Sequence, residues 1–387
     1  MNDRVPSDEE QQPFLALETT EGTEFGRGWL SGILSCVLGI ASLGSVLCIR
    51  FPNLFAFPEL LNRYSDYLIY IRGILHVALI SAFILGTISV CLRKNKMMGL
   101  IGISTTLIAA LLGGSKVITG EFSEDSFLAL DWFVLNLILY TAVYIPLERL
   151  FAKHPDQPTF RKEWHVDLTY FFLNTLLIQI TSLLTLQPAI VFFDWARISA
   201  IEQTLSSLPL VIQVPCCLLV ADFAQYWIHR TFHAVPFLWK FHAIHHSAES
   251  MDWLAGARLH LVDALVTRSL TYAPLYVLGF SQTTIVIYVI IVAIQATFIH
   301  ANLRWEFHWC RHLIATPFFH HWHHAAEREA IDKNFSVHAT LWDWLFGTYY
   351  VPERWPQEYG LSGKRDVPSS WLRQFLYPFR RKKEESR

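Results

Sequence analysis

The sequence predicts an all-α protein, a polytopic membrane-embedded helical bundle that carries a histidine-rich, metal-binding cap on its cytoplasmic side. Three observations lead there. Of the 387 residues 52% are hydrophobic and only 17% charged, which is apolar well beyond an ordinary soluble domain. Uncharged runs of about 20 residues, the length a helix needs to cross a hydrocarbon core, recur along the chain. And 14 of the 17 histidines fall between His229 and His338.

The elements come in this order. Seven Asp and Glu against two Arg give residues 1–27 a charge of minus 5, the wrong flank for a cleavable signal peptide. Residues 28–49 are then uncharged for 22 positions and read as a retained span. Further spans are expected at 67–92, 97–119, 127–147, 168–193 and 208–228. Their few charges, among them Arg72, Lys116, Asp131 and Asp222, lie near helix ends, where side chains snorkel or pair. Residues 269–299 are uncharged for 31 positions, which as a single helix would measure about 46 Å. Gly279-Phe280-Ser281-Gln282 interrupts that run midway, so it reads as a hairpin whose two ends face one side.

Orientation comes from basic residues in short loops. Arg93, Lys94 and Lys96 follow the second span, and Arg149, Lys153, Arg161 and Lys162 follow the fourth, against single arginines (Arg50, Arg63, Arg197) on the other side. The even-numbered ends are therefore cytoplasmic, and all 14 clustered histidines share that face. The chain divides into an acidic tail (1–27), three spans (28–126), a catalytic-looking domain (127–352) and a basic tail (353–387) whose Arg380-Arg381-Lys382-Lys383 run suits a membrane surface or solvated charge.

Composition also excludes. The 31 basic and 33 acidic residues nearly cancel, so there is no positive field to recruit nucleic acid. Five of the six cysteines (Cys36, Cys48, Cys91, Cys216, Cys217) sit in apolar runs and no CxxC occurs, which supports neither a disulfide framework nor a zinc ribbon.

The histidines fall into three groups: His229 with His233; His242, His245 and His246; and His320, His323 and His324. Positions i, i+3 and i+4 lie on one side of a helix, within reach of shared metal. A zinc-protease motif would need Glu beside the first His, where this chain has Arg230. Eight imidazoles exceed the needs of one ion, so two ions are implied, with zinc, copper, iron and nickel all acceptable to such donors. His300, where the hairpin re-emerges, is a ninth candidate. His321 points off the ligand face, His260 and His338 read as structural, and His308 and His312 as interfacial. Oxidation of an unreactive lipid C–H bond suits a nitrogen-rich pair of ions beside a membrane. Water-activating hydrolysis by zinc competes with it, and so does metal binding or transport, although transporters place their ligands nearer the bilayer midplane.

The stretch Asp222-Phe-Ala-Gln-Tyr-Trp-Ile-His229-Arg-Thr-Phe-His233, the box His242 to His246, Thr316-Pro317 before His320 to His324, then Asn334-Phe335 and Trp342-Asp343-Trp-Leu-Phe-Gly347-Thr348 resembles the fatty acid hydroxylase and sterol desaturase superfamily over residues 128–350. The resemblance implies a non-haem di-iron membrane oxygenase that uses O2 and two electrons to hydroxylate or desaturate a lipid. It assigns the metal ligands to His229, His233, His242, His245, His246, His320, His323 and His324, with His300 near the metals. The chain departs from the family pattern at Phe335-Ser336, where Tyr-Gly is frequent after the Asn, and at Trp344, where Arg is frequent.

Metal-bound imidazoles are oriented through the nitrogen that faces away from the metal. Asp222, two helical turns before His229, is the first candidate for that role, with Asp252, Asp332 and Asp343 beside it. Arg230 is a possible charge partner of Asp222, and Asn334 joins the set through the family motif. Tyr226, Trp227, Trp239, Trp253, Trp322, Trp342 and Trp344 read as an interfacial aromatic belt. No dinucleotide-binding glycine motif, haem attachment or iron–sulfur spacing is present, so electrons are expected from a separate reductase, ferredoxin or b-type cytochrome. Sterols, fatty acyl chains, sphingoid or alkylglycerol lipids and carotenoids all fit an apolar site.

Overall fold

The computed structural model describes residues 27–56, 63–120, 130–177, 180, 184–185, 190–363 and 367–380. Among them there is no β-strand, only the isolated bridges Ala152 to Leu303 and Ala325 to Tyr359. Six helices among these residues are long and apolar enough to cross a membrane, and the all-α, multi-pass class expected from the sequence is what the structure shows. Acidic residues 1–26 and the basic run after Arg380 lie outside the described residues.

Contacts divide the chain into two units, Met1–Val143 with Pro158–Lys162 and Thr175–Gln179, and Tyr144–Gln157 with Glu163–Asn174 and Ile180–Arg387. In the first unit, α1 (Trp29–Arg50), α2 (Leu68–Leu92) and α3 (Met97–Leu111) pack on one another. Small residues set how closely they approach. A Cβ added to Gly102 would lie 2.0 Å from Ser35 Oγ, and one added to Gly39 would lie 2.4 Å from Thr105 Oγ1. Such contacts replace the hydrophobic drive that lipid cannot supply. Ser35 Oγ also donates to the Ala82 carbonyl at 2.6 Å, so the polar atom at this seam is satisfied inside the unit. The unit boundary falls within α4 (Leu130–Leu150).

In the second unit, α5 (Trp164–Leu176) precedes α6 (Ser199–Ser207) and the long α7 (Leu210–Ala234). The expected span at 168–193 is not found as one helix. At 13 residues α5 is too short to cross a hydrocarbon core, and much of the chain between it and residue 190 lies outside the described residues.

α7 runs beyond the apolar stretch and carries His229 and His233 on its last two turns. Pro236 then starts α8 (Pro236–His245) at its first turn, where a missing N–H costs nothing. The expected hairpin is present as α9 (Leu261–Leu278) and α10 (Gln282–His300). Gly279 ends α9 in the left-handed conformation (φ 73°), and the Ser281 hydroxyl caps α10 by accepting from Thr284 N–H. α9 begins eight positions ahead of the uncharged run at Ser269 and takes Asp263 and Arg268 into the helix. α11 (Pro317–His323), capped by Thr316, and α12 (Leu341–Leu345) complete the histidine-bearing part, and α13 (Trp371–Leu376) comes after them.

Candidate metal centre

Nine histidines converge inside the second unit and separate into two groups, His229, His233, His242, His246 and His323 in one, His245, His300, His320 and His324 in the other. Within each group the candidate donor nitrogens all lie within 4.8 Å of one another. The groups adjoin, for the His246 and His324 rings stack with centroids 4.5 Å apart. Among the described residues, no carboxylate belongs to either group.

Helix geometry explains the partition. At 100° per residue, i and i+4 differ by about 40° around the axis while i+3 is rotated about 60° the other way. His242 and His246 therefore serve one group and His245 the other; His320 and His324 serve the second and His323 the first. Each of these two short segments contributes to both groups.

The outward nitrogens define the protonation pattern. His229 Nδ1 lies 2.7 Å from the Phe335 carbonyl, His323 Nδ1 2.7 Å from that of Lys333, His300 Nδ1 2.6 Å from that of Ala296, and His245 Nδ1 3.1 Å from that of Arg258. A carbonyl only accepts, so each Nδ1 carries the hydrogen. His242 Nδ1 donates in the same way to Asp263 Oδ2 at 2.7 Å, and His233 Nδ1 to Asp332 Oδ1 at 3.1 Å. Burial holds His242, His245, His246, His320, His323 and His324 well below the usual histidine pKa, with repulsion from neighbouring imidazoles adding to it. These rings are neutral at pH 7.

The inward nitrogens are consequently bare. His229 Nε2 faces His242 Nε2 at 2.9 Å, and His245 Nε2 faces His300 Nε2 at 3.2 Å. With both hydrogens already on the Nδ1 side, neither pair can form a hydrogen bond, and two lone pairs at that distance repel. His233 Nε2 and His323 Nε2 are buried with no hydrogen-bond partner at all. A cation at each focus resolves all of these conflicts, and the donor set fits a divalent metal that accepts imidazole.

The remaining residues expected at the site take other roles. Asp222 accepts the backbone N–H groups of Val337, His338 and Ala339 at 3.1, 2.9 and 2.7 Å, so it fastens that segment to α7 and touches no imidazole. Asp343 accepts Phe335 N–H and Ser336 N–H, both at 2.8 Å, and the Thr348 hydroxyl at 2.6 Å. Arg230 donates to the Tyr226 hydroxyl at 3.1 Å and lies over the Trp227 ring. Asn334 donates to the carbonyls of Phe319 and Tyr350 at 2.9 and 2.7 Å and accepts Tyr350 N–H at 2.8 Å. Asp252 accepts Leu254 and Ala255 N–H. His321 is outside both groups, bonded to the Tyr359 hydroxyl at 2.9 Å, and His260 caps α9.

Sequence reasoning passes over two contributors. Asp263 orients His242, and its only sequence signal is an acidic residue just ahead of the hairpin's apolar run. Arg258, whose carbonyl orients His245, is fully buried and bonds to Asp167, Glu163 and Ser247.

Comparison with known proteins agrees with this geometry. Residues 214–348 match the family model for fatty acid hydroxylase. The chain is 31% identical over 175 residues to an ornithine lipid hydroxylase of Rhizobium tropici, covering 45% of this chain and 52% of that protein. It is 30% identical over 159 residues to an alkylglycerol monooxygenase of Danio rerio, covering 41% and 35%. It is 25% identical over 148 residues to a methylsterol monooxygenase of Arabidopsis thaliana, covering 37% and 48%. The match thus spans about half the length of these relatives or less. No solved structure is significantly similar. Residues 214–348 are thus similar to the fatty acid hydroxylase family, in keeping with the superfamily that the histidine boxes resemble.

Proposed function

We propose that this protein is a membrane-embedded di-iron oxygenase that hydroxylates or desaturates a lipid with O2, its residues 127–352 forming the catalytic domain. The observation that carries the reading is the pair of all-histidine foci, each with bare nitrogens converging and each within the stretch similar to lipid hydroxylases and monooxygenases. His229, His233, His242, His246 and His323 would hold one iron, and His245, His300, His320 and His324 the other. When bound, the irons supply the redox chemistry that couples O2 and two electrons to C–H oxidation.

The balance is simple. Hydroxylation consumes RH, O2, two electrons and two protons and yields ROH and water; desaturation consumes the same oxidant and electrons and yields an alkene and two waters. The protein's own part is orientation. The outward hydrogen bonds to Asp263, Asp332 and the four main-chain carbonyls fix six of the nine imidazoles in the tautomer that offers Nε2 inward. Burial keeps the rings deprotonated at neutral pH and excludes bulk water from the site.

The substrate is a lipid delivered from the bilayer, and the electrons come from a separate carrier, a reductase, ferredoxin or b-type cytochrome, docking on the cytoplasmic face; the excess of basic residues in the loops after the second and fourth expected spans supports that side for the histidines. Metal analysis of the purified chain should return about two irons, and lipid profiling of aerobic cells should show a product that vanishes with His245→Ala. Two zinc ions with O2-independent turnover would replace this reading with a hydrolase.

A further inference from the structure

The five-histidine group has a neighbour that the four-histidine group lacks. Three of its imidazoles, on two different helical segments, send their outward hydrogen bonds to one stretch of four residues: His233 to the Asp332 carboxylate, His323 to the Lys333 carbonyl and His229 to the Phe335 carbonyl. The ring nitrogens of the other group turn elsewhere, to Arg258, to Ala296 and to one another.

The stretch is bent in an unusual way. Asp332 and Asn334 both adopt positive φ, 58° and 59°, a conformation disfavoured for residues with a Cβ and best tolerated by Asn and Asp. Alternating left-handed residues turn alternate carbonyls, those of Lys333 and Phe335, towards the histidines. Asn334 locks the bend through its own amide. It bonds to Phe319, the residue before His320, and clasps Tyr350 from both sides, while its backbone N–H donates to the Thr348 carbonyl at 3.0 Å. Asp343 then takes the next two backbone N–H groups.

Resting on the two-metal reading above, we propose that Asp332–Phe335 is a site-selective clamp, with Asn334 the positioning residue that sets metal affinity at the five-histidine group far more than at the four-histidine group. The outward partner of a metal-bound imidazole governs its tautomer and aim. A side chain that fixes the bend presenting three such partners should therefore act mainly on one metal of the pair.

The test is Co(II) titration of the full-length, metal-stripped protein in detergent, monitored by absorbance and by metal content. Wild type should bind two equivalents. His245→Ala, which leaves three donors in its group, isolates the five-histidine group, and the double variant His229→Ala/His233→Ala, which also leaves three, isolates the four-histidine group. Asn334→Gly, which keeps the left-handed backbone and deletes the three side-chain bonds, should weaken Co(II) binding about 10- to 100-fold in the His245→Ala background and by less than about twofold in the His229→Ala/His233→Ala background. Should the glycine variant fail to fold, Asp332→Ala, at a largely exposed side chain, should show the same selectivity. Equal weakening in both backgrounds, or none in either, overturns the clamp. A wild type that binds no metal overturns the oxygenase reading itself, whereas two equivalents with no selectivity overturns the clamp alone.

Discussion

The five-histidine group takes three of its outward hydrogen bonds from a single bent loop, whereas the four-histidine group takes its own from the Ala296 carbonyl of helix α10 and from Arg258, which Asp167 and Glu163 pin in place. The same side chain and the same tautomer are thus enforced by different means. A loop can be altered by one substitution at its hinge; a helix carbonyl moves only with its helix. The first group should be the tunable one and the second the rigid one.

The largest expected effect erases the contrast. His229→Ala and His245→Ala remove one donor from each group, and both should abolish the proposed lipid oxidation, read as loss of product by mass spectrometry. Activity surviving His245→Ala would mean that the five-histidine group suffices, and activity surviving His229→Ala that the four donors left in that group are enough.

Acidification comes next. His242, His246 and His323 of the first group and His245, His320 and His324 of the second all have folded pKa values well below the ordinary 6.5. Below pH 6.5 the unfolded chain binds protons that the folded chain refuses. The metal-free protein should therefore be insensitive above that pH and lose stability as pH falls beneath it, with each such group contributing up to about 1.4 kcal/mol per pH unit. Denaturation midpoints of the metal-free protein from pH 8 to 5 check this. Since each group holds three of these residues, both should fail over the same interval, and staged melting would break the comparison.

Arg258→Met sharpens it. Removing the cation takes from Asp167, which is fully buried, its guanidinium partner, and breaking such a buried pair costs about 3–5 kcal/mol. The loss should appear in the denaturation midpoint of the holoprotein. Asp263→Ala should act on the first group instead, lowering its metal affinity about 10- to 100-fold through His242, while Asp263→Asn, which keeps an acceptor, should lose less. The smallest effect belongs to Thr316→Ala. It deletes the N-cap of α11 and should cost about 1 kcal/mol, seen as a slight fall in the thermal midpoint with both metals retained.

Much of this is legible from residue order. Gly279 and Ser281 announce the hairpin, and they do end one helix and cap the next, while the histidine spacings place three boxes within reach of two foci. The way the boxes divide is not legible. Spacings of three and four both mean the same helix face until two foci exist to tell them apart. Main-chain carbonyls such as those of Lys333 and Phe335 leave no trace in side-chain identity, so the orienting contacts they make are invisible in the sequence. Asp222 illustrates a different limit. It sits two turns before His229, as its spacing requires, but its partners are backbone N–H groups from more than a hundred residues away, where long-range packing and no local rule decides.

The sharing of α8 and α11 between the two foci makes these segments intolerant of insertion or deletion. One residue added between His242 and His246 would rotate the rest of the segment by about 100°, taking His246 out of register. No drift of the helix could repair both foci together. Over evolutionary time, length variation should collect in the connecting loops, while the spacing inside each box stays frozen even where its other residues change.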